Sequence, residues 1–120
     1  MYNNNSLDTV CGSLCYALGI SPPETAAEDN PEMNKFIDTA LKWKKADRMF
    51  IYNPDAVAMW IADKYPDYIK EVVELTQVQI PLKSVMPSVT PVCFGTFYTG
   101  VQPEVHGIKS CAKGESYVVR

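Results

Sequence analysis

Residues 48–85, RMFIYNPDAVAMWIADKYPDYIKEVVELTQVQIPLKSV, carry the pattern on which the fold reading turns. RMFIY is a short apolar and aromatic run closed by Asn53-Pro54, the form of a buried strand ending in a turn. Asn53 can then cap a helix and Pro54 suits its first position, with Val57, Trp60 and Ile61 at helical spacing until Pro66 interrupts. A second short helix is expected over residues 67–75, with Ile69, Val72 and Val73 inward. Beyond it Val78, Ile80 and Leu82 alternate with Gln79, Pro81 and Lys83, the period of a strand with one wet face. Pro81 has no N–H for a ladder, so that strand belongs at an edge or a bulge. Strand, helix, strand, helix predicts an α/β fold: a βαβα unit with a right-handed crossover, forming a partial parallel sheet with flanking helices. One more strand is expected at residues 117–119.

The residues on the N-terminal side read as helical. Ser6 is a candidate cap, and Leu7, Val10, Cys11, Leu14, Cys15 and Leu18 recur at helical spacing up to Gly19. Residues 21–30, SPPETAAEDN, form a solvated connection. Asn30 then caps a second helix with Pro31 at its first position, and Met33, Phe36, Ile37, Ala40 and Leu41 make its apolar stripe. Lys42, Lys44 and Lys45 read as a solvated helix end. The expected organisation is a helical flank over 1–47 and an incomplete βαβα unit over 48–120. A sheet of two or three strands leaves an open edge that would promote self-association, and it reads as the beginning of a larger fold.

Composition narrows the functional classes. With 47% hydrophobic and 21% charged residues in 120, the chain is an ordinary globular sequence. A net charge of -3 provides no basic footprint for nucleic acid or for an anionic membrane surface. The first residues, MYNNNSLD, lack a secretory signal, and no apolar run spans a bilayer, so a cytoplasmic setting is expected. Cys11, Cys15, Cys93 and Cys111 are expected to be free thiols. The one histidine, His106, leaves little material for a zinc site. Trp43, Trp60, Tyr65 and Tyr68 read as core and boundary aromatics.

Residues 86–108, MPSVTPVCFGTFYTGVQPEVHGI, carry the candidate chemistry. Thr90-Pro91 has the form of a helix start and Gly100 that of its C-terminal cap, with a helix over 91–99. A hydroxyl at such an N-terminus stands where the dipole favours an anion; by itself the pattern serves a cap as well as a nucleophile.

From Pro87 through Thr90, Thr99-Gly100 and Pro103 to His106-Gly107-Ile108, without a gap, the segment resembles the nucleophile segment of the type I phosphodiesterase and nucleotide pyrophosphatase branch of the alkaline phosphatase superfamily. The resemblance implies that the chain is the N-terminal portion of an alkaline-phosphatase-like fold. It makes Thr90 the catalytic nucleophile and a metal ligand. It also implies two divalent ions, zinc in kind, and a phosphate ester or nucleotide as substrate. Asp55, after RMFIYNP, corresponds to a first metal-binding carboxylate, although Ala56 replaces the family's glycine; as a first-turn helix residue it would equally suit the dipole. Cys93 stands where better-known relatives have a phosphate-binding asparagine, so it is either a substrate contact or a packing residue. Relatives draw most metal ligands from later in the chain. A fragment inactive alone is therefore expected, the alternative being a non-catalytic anion- or protein-binding domain.

Overall fold

The protein is described from a computed structural model, covering residues 5–111. Two short helices in the first half are built by local capping. α1 (Thr9–Leu18) ends at Gly19, whose φ of 70° returns backbone N–H groups to the last carbonyls. α2 (Pro31–Leu41) begins as its sequence predicts: Asn30 Oδ1 accepts the Met33 N–H at 3.0 Å, and Pro31 occupies the first turn.

The order continues with α3 (Met59–Lys64), a 3-10 turn (Pro66–Tyr68), α4 (Lys70–Leu75), α5 (Thr90–Thr99) and α6 (Pro103–His106). α1 is the hub, packing against α2 on one side and α5 on the other, while α6 folds back on α5. Val10, Cys11, Ala17, Val85, Val92 and Val101 form the small buried centre. Ser13, Asn30 and Thr96 are buried with them, each hydrogen-bonded. The buried stripe of α1 is rotated from the expected one: Gly12 and Ser13 go inside, whereas Leu14, Cys15 and Leu18 are half-buried. Ser13 draws the helix round, because its Oγ accepts the Asn30 N–H at 2.8 Å and lies 3.2 Å from the Asn30 carbonyl. The stripe expected on α2 is only half-covered, and Ala40 is exposed.

The α/β reading is overturned. Among the described residues there is no strand and no sheet, only an isolated parallel bridge between Ser6 and Lys83. RMFIY is extended chain without a ladder partner, with Phe50 89% exposed. The 78–82 run likewise pairs with nothing; the chain meets a neighbour only at Lys83, which accepts from the Leu7 N–H and donates to the Asn5 carbonyl. A strand needs a second strand to take its N–H and C=O groups, and neither run finds one. The strand expected at 117–119 lies outside the described residues.

Helix formation after Asn53-Pro54 is also delayed. α3 starts at Met59; before it the chain is irregular except for a turn at Asp55-Ala56, where Ala56 takes a φ of 55°. Trp43, Trp60 and Tyr68 are largely exposed, not core residues. Lys45 is more than a solvated helix end: its Nζ lies 3.7 Å from the Tyr16 ring centroid and donates to the Tyr16 carbonyl. Among the described residues no helix is long and apolar enough to cross a membrane.

Candidate functional site

Thr90 stands at the first position of α5, and Val89 holds the capping position. The Thr90 hydroxyl is not used to cap the helix; it donates to Asp55 Oδ1 at 3.0 Å, across a separation of 35 residues. Asp55 is not in a helix, so the first-turn role open to it in the sequence is absent. Its Oδ1 accepts the Ala56 N–H at 2.8 Å, which fixes the carboxylate within the turn that presents it to Thr90. The two residues that the resemblance singles out independently are thus in contact.

Cys93 lies one turn along α5. Its Sγ is 3.4 Å from Ser84 Oγ, which is 2.7 Å from Ser88 Oγ. A row of hydroxyls and a thiol therefore runs beside Thr90. Nothing in the spacing of Ser84, Ser88 and Cys93 announces this row; it exists because the loop before α5 doubles back on the helix. All five residues line an open cleft of about 1200 Å³ that α3 and α4 wall on the other side. Tyr98, further along α5, accepts from Asn53 Nδ2 at 3.1 Å and ties the chain just before the Asp55-Ala56 turn to the same helix.

His106 belongs to the support of α5. Its Nδ1 accepts the Ile108 N–H at 3.0 Å, so the ring hydrogen is on Nε2, 3.0 Å from Thr96 Oγ1. Burial holds the imidazole below its ordinary value of 6.5, against the opposite pull of the Glu104 carboxylate and the Val92 carbonyl. Gly95 makes room for this ring: a Cβ there would stand 2.8 Å from His106 Cε1 and 2.9 Å from Ile108 Cδ1. Gly100, with φ 72°, closes α5 against Ala26 and Cys11.

Chemically, a carboxylate accepting from a threonine hydroxyl orients it without making it a strong nucleophile at neutral pH. The two divalent ions implied by the resemblance need several carboxylate or imidazole ligands around that oxygen. The described residues do not fit them. No group of three or more His, Cys, Asp or Glu side chains among them could hold a metal, and His106 is engaged by Thr96 and Ile108. The four cysteines are free thiols; Cys11 is buried, and that burial, with Cys15 beside it, raises its pKa. Compared with protein-family models, with curated proteins and with solved structures, the chain matches none.

Proposed function

We propose that this chain supplies the nucleophile segment of a metal-dependent phosphodiesterase or nucleotide-pyrophosphatase-type hydrolase, with Thr90 as the attacking group, and that it is not hydrolytic alone. One observation carries the reading: the Thr90 hydroxyl, unused as a cap, is turned onto Asp55 at 3.0 Å, the carboxylate that the family pattern would make a metal ligand. Asp55 positions the hydroxyl, and Ser84, Ser88 and Cys93 offer polar contacts along the same wall to the oxygens of a phosphate ester or nucleotide. Divalent ions of the zinc kind would require ligands beyond the described residues, so no reaction step is routed through them. Four unpaired thiols suit a reducing, cytoplasmic setting.

The test is release of nitrophenolate from bis(4-nitrophenyl) phosphate in the presence of zinc. The chain is expected to give the rate of zinc and buffer alone. Where its coding DNA continues in frame into an Asp/His-rich segment, the joined protein is expected to turn over, and Thr90→Ala to abolish that turnover. Activity of the isolated chain that disappears in Thr90→Ala would overturn the need for further ligands. Turnover that survives Thr90→Ala would overturn the role given to Thr90.

A further inference from the structure

The wall of the cleft opposite Thr90 has a character that a phosphate ester does not explain. Val57, Trp60 and Val72 line it while remaining 51%, 63% and 58% exposed, Ile69 and Ile80 continue the apolar surface, and Phe94 of α5 adds to it from the Thr90 side. The charged groups lining the same cleft are four carboxylates, Asp55, Asp63, Asp67 and Glu74, and one amine, Lys70. Lys70 is taken by Glu74 at 3.8 Å, and Asp55 by Thr90. Asp63 and Asp67 are exposed and form no ion pair among the described residues. An apolar floor edged by unpaired carboxylates favours, on that side of the cleft, an occupant that is both apolar and cationic. At about 1200 Å³ the cleft exceeds the roughly 300–1,000 Å³ usual for small-molecule sites.

We infer that the cleft between α3, α4 and α5 is a docking groove for a basic amphipathic helix of another protein. The apolar stripe of such a helix covers Trp60, Val72 and Phe94, and its flanking Lys or Arg side chains meet Asp63 and Asp67. This goes beyond the Thr90 reading and does not depend on it.

Trp60 reports directly once Trp43, which is exposed and outside the cleft, is changed to Phe. In that background a synthetic Leu/Lys peptide of helical pattern, about four turns long, is expected to shift Trp60 emission to the blue saturably, with affinity falling as salt rises. A Leu/Glu peptide of the same pattern is expected to give no shift. The pair Asp63→Asn and Asp67→Asn should weaken the Leu/Lys peptide roughly three- to tenfold with an unchanged circular dichroism spectrum. Equal binding of both peptides, binding of neither, or affinity indifferent to the two Asn changes overturns the proposal. So does sedimentation showing that a second copy of the chain already covers Trp60, or a Trp60 shift obtained only with anionic lipid vesicles.

Discussion

Gly95→Ala sets two known effects against each other, and the structure says which wins. In the interior of α5, replacing Gly by Ala favours the helix by about 0.5–1 kcal/mol. Against that, the new Cβ would lie 2.8 Å from His106 Cε1, 2.9 Å from Ile108 Cδ1 and 3.0 Å from His106 Nδ1. The Ile108 methyl can swing aside. The imidazole cannot do so freely, because Ile108 N–H holds Nδ1 and Thr96 holds Nε2, each at 3.0 Å. Inserting a methyl into such a contact costs about 1–3 kcal/mol, leaving a net loss of about 0–2.5 kcal/mol, centred near 1 kcal/mol, once the propensity gain is deducted. In urea, with a slope of about 1–2 kcal/mol/M, a loss of about 1 kcal/mol lowers the midpoint by about 0.5–1 M at unchanged slope. The companion measurement is Gly95→Ala in a His106→Ala background, where the clash partner is gone and the same change should be neutral or stabilising. A stabilising Gly95→Ala in the unaltered chain, or the same loss in both backgrounds, would refute the packing of α6 on α5 described above.

Three further outcomes follow from the same geometry. Because His106 titrates below 6.5 in the folded chain, the unfolded chain takes up the proton first; the stability contributed is present above pH 6.5 and is lost as pH falls through the folded value. Urea midpoints between pH 7.5 and 5.5 should show this slope in the unaltered chain and lose it in His106→Gln. Asn30→Ala removes the cap of α2 and the Nδ2 contacts to Asn5 and Thr9, and should cost about 1–3 kcal/mol by denaturation. Thr90→Ala, at an exposed position whose hydroxyl caps nothing, should change stability by less than about 0.5 kcal/mol; a loss as large as a cap's would return Thr90 to a structural role.

The features legible in advance are those whose cause lies within one helical turn. Asn30-Pro31 starts a helix because the side chain of Asn30 reaches an N–H three residues on. Gly19 and Gly100 end helices because each can take a positive φ at its own position. RMFIY and VQIPL failed as strands for the opposite reason. Their apolar character is compatible with a ladder, but a ladder depends on a second segment, and alternation within one segment cannot supply it. The rotation of α1 is of the same kind, since Ser13 is drawn inward by a backbone group that arrives 17 residues later.

The candidate site divides along the same line. The sequence by itself determined that a threonine would begin α5 and that a glycine would close it, and the family resemblance drew Thr90 and Asp55 out of the chain as separate positions. Only the tertiary structure decided that Asp55 sits in a turn rather than a helix and receives the Thr90 hydroxyl, that Ser84, Ser88 and Cys93 line up beside them, and that the opposite wall is apolar and acidic. Helix ends follow from local hydrogen bonding and backbone sterics, which neighbouring residues specify almost alone. Which side chains face one another across a cleft depends on how helices pack, and that is settled by the burial and polar pairing of the whole chain at once.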